Sequence, residues 1–193
     1  MTVTIGQTSM TYFPAEAVPG QIADIGPRRI VSYVANEIIT PGYLCEVVSG
    51  SENTGGGPQL IRVVQDTGDS GIPSATIVGV AVFDAARQNN GSASNSAVNN
   101  GGAFYNPGDI VQILEFGSIF MAWSGTTQTG YLNAPHVAHS STNAALRGYL
   151  TDAVISSTAG SEVSVCPSWI RIMSPRPGTG SIALVEINTP GAS

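Results

Sequence analysis

Residues 109 to 123 read Asp-Ile-Val-Gln-Ile-Leu-Glu-Phe-Gly-Ser-Ile-Phe-Met-Ala-Trp. Asp109 to Glu115 and Ser118 to Trp123 are two runs of aliphatic, β-branched and aromatic residues, with the composition and length of strands. Pro107-Gly108 opens the first run. That pair suits a turn, because proline presets φ and glycine accepts a positive value. The same pattern recurs outward in both directions. Ile30 to Ala35, Tyr43 to Val48, Gln59 to Gln65 and Ala75 to Phe83 precede it. Tyr149 to Ser156, Val163 to Ile172 and Ser181 to Ile187 follow. No window carries an apolar stripe of helical spacing and length. The expected fold class is all-β: a barrel or β-sandwich of short antiparallel strands, with an extended N-terminal arm and under a tenth of residues helical.

Turn glycines repeat in Thr40-Pro41-Gly42-Tyr43-Leu44, Asn106-Pro107-Gly108-Asp109-Ile110 and Gln128-Thr129-Gly130-Tyr131-Leu132. Each lies two residues before an aliphatic that opens an apolar run. Residues 1 to 27 lack such runs and contain Phe13-Pro14, Pro19-Gly20 and Gly26-Pro27. They read as an arm, to which Tyr12, Phe13, Pro14, Val18 and Ile22 give partner-binding anchors without a local core. Residues 28 to 193 form the β domain, with a protruding insertion expected around 84–106 or 149–174. Within the first lies Asn89 to Gly102, a low-complexity loop or hairpin tip. The second contains Tyr149 to Ser174, and either segment suits a knob or an added subdomain.

Charge is sparse. The 193-residue chain has 7 Arg, no Lys and 13 Asp plus Glu, so 10% of residues are charged. Ordinary domains carry about 25%. A folded monomer of 19.8 kDa exposes roughly 8,600 Å², or about one charge per 430 Å². With 42% hydrophobic residues and mean hydropathy +0.15, much neutral surface is left for partners. A net charge of −6 opposes a nucleic-acid groove, which needs clustered cations. No apolar signal segment precedes Arg28, and the uncharged stretches Gln88 to Gly108 and Phe116 to Leu146 are too polar for membrane spans. Cys45 and Cys166 make no disulfide framework and are expected to be buried thiols in a reducing compartment.

Reactive motifs fail on inspection. Gly68-Asp69-Ser70-Gly71 resembles a serine-protease nucleophile segment, yet both histidines, His136 and His139, follow it. In those enzymes the base precedes the serine. Asp66-Thr67-Gly68 after Val63-Val64 resembles half of an aspartic-protease site, which requires a homodimer so that two carboxylates share a proton. Asp69 then sits beside the site as a like charge, and a solvent-facing turn is the simpler reading. His136-Val137-Ala138-His139 is placed in a loop by Pro135 and its polar neighbours. On a strand its imidazoles point to opposite faces, and no Cys, Asp or Glu lies between Gly117 and Thr151 to complete a metal site. Gly55-Gly56-Gly57 precedes Pro58 and a strand rather than a helix, so it is no phosphate loop. The aromatics are scattered, which favours packing over sugar stacking. No catalytic residue, cofactor or metal is expected.

Several segments in order resemble the tailed-phage capsid cement, or head decoration, proteins. They are Pro19-Gly20-Gln21-Ile22-Ala23-Asp24, the strand with Val31 and Val34, Ile39-Thr40-Pro41-Gly42-Tyr43-Leu44 and Ile77-Val78-Gly79-Val80-Ala81-Val82. Pro107-Gly108-Asp109-Ile110-Val111-Gln112-Ile113-Leu114, Gly117-Ser118-Ile119-Phe120-Met121 and Gly180-Ser181-Ile182-Ala183-Leu184-Val185-Glu186-Ile187 complete the series. The resemblance spans about residues 14 to 187. It implies a non-enzymatic virion protein, made in the host cytoplasm, that binds the outer surface of the head. Its partners would be the major capsid protein and itself, as a homotrimer bracing capsid subunits. A carbohydrate-binding or adhesive module of a phage appendage or cell surface is the alternative, and a dimeric aspartic protease the remote one.

Overall fold

The structure is a computed structural model describing residues 18–23, 26–48, 59–64, 76–84, 104–124, 136–141, 147–151, 161–173 and 182–189. Every regular element among them is a strand. β1 (Arg29–Ala35), β2 (Leu44–Val47), β3 (Leu60–Val63), β4 (Ile77–Ala81) and β5 (Ile110–Ser124) pair in the order β1-β3-β2-β4-β5. β5 then pairs back to β1, so the sheet closes into a barrel. Closure removes the open edges that would otherwise invite aggregation.

The run 109–123, expected as two strands, is one strand of 15 residues. The division seen in the sequence is a β-bulge. Arg29 faces Phe116 and Ile30 faces Leu114, which leaves Glu115 without an opposite residue. An extra residue resets the period-2 alternation of side chains. Before it, Val111 and Ile113 fill one buried cluster with Tyr33, Ile39, Cys45 and Ile61. After it, Ile119, Met121 and Trp123 join Leu114, Leu44 and Val80 in a second cluster. One strand thus serves two cores.

β6 (His136–Ser141), β7 (Leu150–Thr151), β8 (Ser161–Val165), β9 (Ile170–Ile172) and β10 (Ile182–Asn188) complete the sheet. β10 lies antiparallel to β5 from Ala122 to Phe116, and β9 lies against β10. β7 continues the far end of β5 at Trp123 and Ser124, followed outward by β6 and β8. Two pairings, β1–β3 and β5–β7, are parallel; the others are antiparallel. The run Val163 to Ile172 is broken at Cys166-Pro167, where Pro167 lacks the N–H a ladder needs and its carbonyl accepts from Ile170 N–H at 3.0 Å. His136 to Ser141, expected as loop, is a strand. Its polar sequence carries no β signal of its own, and partners on β7 and β8 supply the ladder.

Phe104 and Tyr105 are buried at the return of the 85–103 segment. Tyr105 bridges to Ile39, and its hydroxyl donates to the Val82 carbonyl at 2.7 Å. Both ends of that segment are therefore held on the barrel, while the segment itself lies outside the described residues. Cys45 and Cys166 are free and buried. They occupy different clusters, and burial pushes both thiols well above their ordinary range, with Glu37 adding to the effect at Cys45.

Candidate assembly surface

The root of the N-terminal segment is built into the barrel of its own chain. Pro19-Gly20 forms a turn in which Gln21 N–H donates to the Val18 carbonyl at 3.1 Å and Val18 N–H to Gln21 Oε1 at 3.2 Å. Gly20 has φ 82°, the left-handed value that this turn demands of its third residue. Its N–H donates to the Phe120 carbonyl at 2.6 Å, and its carbonyl accepts from Phe83 N–H at 2.8 Å. Gly42 makes a neighbouring rung: its N–H donates to the Ala81 carbonyl at 2.8 Å, and its carbonyl accepts from Ala122 N–H at 3.0 Å. Two Pro-Gly turns thus stitch the end of β4 to the second half of β5. These are backbone groups that burial would otherwise leave unpaired.

Of the anchors expected in the arm, Tyr12, Phe13 and Pro14 lie outside the described residues. Val18 is half-buried at the turn. Ile22 bridges to Ile119 and packs partly into the chain's second core cluster. Part of its apolar surface is used internally.

Three of the described carboxylates, Glu46, Glu115 and Glu37, have partners within the chain. Glu46, 1% exposed, accepts from Arg62 Nε at 2.8 Å and from the Thr76 hydroxyl at 3.5 Å. Glu115, at the bulge, accepts from the Tyr33 hydroxyl at 2.7 Å and pairs with Arg29 Nε at 3.0 Å. Burial, then the hydrogen bond to Glu115, pushes the Tyr33 phenol far above its usual range. Glu37 accepts from Val63 N–H at 3.0 Å and lies 3.6 Å from the buried Arg147. Buried carboxylates are tolerated only with such partners. Arginines tied to these carboxylates contribute less to surface charge than a sequence count implies.

The outward face of the β1/β5 ladder is neutral. Val34 pairs with Ile110, Ser32 with Gln112, and Ile30 with Leu114. Leu114 is covered by the second core cluster, whereas Ile110 is 62% and Ile30 36% exposed. An antiparallel ladder with a wet face ordinarily places polar residues there. The outward side of β9 and β10 does so, pairing Arg171 with Glu186. The alternation in both runs contained this signal, which became legible only once the register was known.

Asp66-Thr67-Gly68, Gly68 to Gly71 and Gly55 to Gly57 lie outside the described residues. His136 and His139 sit on β6, where a register shift between Ala138 and Ser140 intervenes. Among the described residues no three His, Cys, Asp or Glu gather to hold one ion. Tyr43 and Tyr149 meet edge to face at 6.5 Å, a packing contact that also seals the short segment ahead of β7.

A chain of the solved capsid of Myoviridae phage XM1 superposes on this one with a TM-score of 0.55 at 13% identity, covering 94% of this chain and 98% of that one. At such identity the likeness speaks for the fold alone. No curated protein matches the sequence. The phage cement family, described as structural cement protein (E217 gp24/Pam3 gp6), matches residues 5–188, which takes in the barrel, the strands appended to it and most of the sequence ahead of β1. The chain belongs to this family of phage structural cement proteins.

Proposed function

We propose that this cement protein binds the outer surface of a phage head as a homotrimer and braces neighbouring major capsid subunits against each other. The observation that carries the reading is the family match over residues 5–188. Sparse surface charge and an uncharged ladder face support binding through neutral surface. Tyr12, Phe13, Pro14, Val18 and Ile22 contribute contacts to the shell from the arm. The protein is made in the host cytoplasm and joins the capsid there.

No bond-making chemistry is required for this role. A protein that binds the assembled head and not its dissociated subunits stabilises the head by mass action, by about 2.7 kcal/mol per site at a free concentration of 100 Kd. The test is thermal release of DNA from undecorated heads, with and without this protein, at low and high salt. Saturating protein raises the release temperature, and the rise survives moderate salt because few charges are available for screened pairs. No rise at saturation rejects the cement role on the head.

A further inference from the structure

We propose that β6, β7 and β8 form a flap that opens from the barrel as a unit, and that Arg147 sets how often it does so. The three strands pair among themselves through β6, which lies against both β7 and β8. Among the described residues, their ladder to the barrel is the short parallel pairing of Leu150 with Trp123 and Thr151 with Ser124. Further docking comes from the chain just ahead of β7. The Gly148 carbonyl accepts from Leu44 N–H at 2.8 Å, Tyr149 meets Tyr43, and Leu150 is buried in the second core cluster. Cys166, just past β8, returns to that same cluster and marks the far hinge.

Closure buries a cation that the barrel pairs only in part. Arg147 is 8% exposed. Its Nη2 lies 3.6 Å from Glu37 Oε2, too far for a hydrogen bond. Its Nε is buried without a hydrogen-bond partner among the described residues. Glu37 is itself tied to β3, accepting from Val63 N–H at 3.0 Å. Taking a guanidinium out of water is costly unless close pairing and hydrogen bonds repay it. Arg62 and Arg29 on the barrel are better served, with Nε at 2.8 Å from Glu46 and at 3.0 Å from Glu115. An open flap returns Arg147 to water, so the group that loses most on closure lies on the moving part. Such a unit opens at a lower free energy than the barrel unfolds. Its opening leaves the Trp123–Ser124 end of β5 without the β7 ladder.

Hydrogen exchange of the full-length protein, read by mass spectrometry, tests this. In the wild type, peptides carrying β6, β7 and β8 exchange about tenfold faster or more than those of β1 and the first half of β5. Glu37→Gln keeps an oxygen to accept from Val63 N–H but removes the counter-charge, and it speeds flap exchange a further threefold or about that. Arg147→Met keeps the apolar stem without the charge, and it slows flap exchange by about threefold. Exchange in β1 and β5 stays within about twofold of the wild type in both variants. In the double variant the flap behaves as in Arg147→Met alone, because no cation is left for Glu37 to neutralise. Flap peptides as well protected as β1, or variants that shift flap and barrel alike, overturn the flap as a separate unit. A flap that opens but is indifferent to Glu37→Gln, or opens faster with Arg147→Met, overturns the role of Arg147. Failure of Arg147→Met to fold overturns it too, since the cation is then a support of the closed state and not a burden on it.

Discussion

Gly20 and Gly42 pack backbone to backbone, each in the space a side chain would need on the other. A Cβ placed on Gly20 would lie 2.8 Å from Gly42 N and 2.6 Å from Pro41 Cβ; one on Gly42 would lie 2.7 Å from Gly20 N and 2.6 Å from Pro19 Cβ. Both residues hold φ near +80°. The contact joins a segment 22 residues upstream to the entry of β2, and through it the barrel gains two rungs between β4 and β5.

Gly20→Ala and Gly42→Ala are therefore each expected to cost about 2–4 kcal/mol, combining backbone strain at positive φ with overpacking against main chain that cannot rotate aside. The two effects share one contact. Once one methyl has forced the turns apart, the second finds room, so the double variant costs less than the sum by at least about 0.5 kcal/mol. Urea unfolding of the two single variants and the double variant measures this. Strict additivity would mean the turns do not press on each other.

Glu115 supplies a second prediction. Its carboxylate is the meeting point of Tyr33 and Arg29 at the bulge, and its main-chain carbonyl accepts from Thr189 N–H and hydroxyl, both at 3.0 Å. Tyr33→Phe removes one buried hydrogen bond and leaves the carboxylate its arginine, at a cost of about 1–2 kcal/mol. Glu115→Ala leaves the phenol buried without its acceptor and opens space at the bulge, and about 3 kcal/mol is expected. Thermal denaturation of both variants ranks them. The reverse order would show that the carboxylate does not organise the bulge.

The strand content was legible because β-branched runs and Pro-Gly turns are local signals. Pro19-Gly20, Pro41-Gly42 and Pro107-Gly108 all form turns with positive φ at glycine. The continuity of β5 was not legible, because a bulge at Glu115 and a strand break look alike until Arg29 and Ile30 are placed opposite. His136 to Ser141 escaped for the converse reason: its strand state is imposed by β7 and β8 rather than by its own residues. At the candidate assembly surface, the scarcity of charge was visible in the composition. Which face stays neutral depended on a β1/β5 register set between residues as distant in sequence as Arg29 and Phe116. The turn at Pro19-Gly20 was readable, but its partner Gly42 was not, since nothing local records which turn packs on which.

Alkaline pH is expected to destabilise the fold. Burial, above all, raises the Cys45, Cys166 and Tyr33 values in the folded chain. Unfolded, the thiols release protons near about 8.5 and the phenol near about 10. Above those values the unfolded chain binds fewer protons than the native one, so stability falls as pH rises. The stabilisation is complete below the unfolded values and is lost on the way toward the raised ones. Melting temperatures from pH 8 to 11 should decline from about pH 8.5, and Cys166→Ala should flatten the first part of the decline. A flat profile to pH 11 would contradict the burial of these groups.

Residues 1–17 and residues 18–23 are expected to serve different ends. Removing residues 1–17 touches none of the bonds that Gly20, Gln21 and Ala23 make with Phe83, Phe120 and Ser118. That truncation is expected to melt within about 2 °C of the full chain but to bind heads more weakly, because Tyr12, Phe13 and Pro14 are gone. Removing residues 1–23 instead strips the partners from Phe83 N–H and from both backbone groups of Phe120, and takes Ile22 from the core. Hydrogen bonds worth about 0.5–1.5 kcal/mol each, with about 1–2 kcal/mol from partial burial of Ile22, total roughly 3 kcal/mol or more. For a chain of this size that lowers the melting temperature by about 6 °C or more. Calorimetry of both truncations, beside their affinity for undecorated heads, distinguishes the roles. Equal melting would mean residues 18–23 do not close the seam between β4 and β5. Undiminished affinity after loss of 1–17 would mean that the capsid is held by the barrel alone.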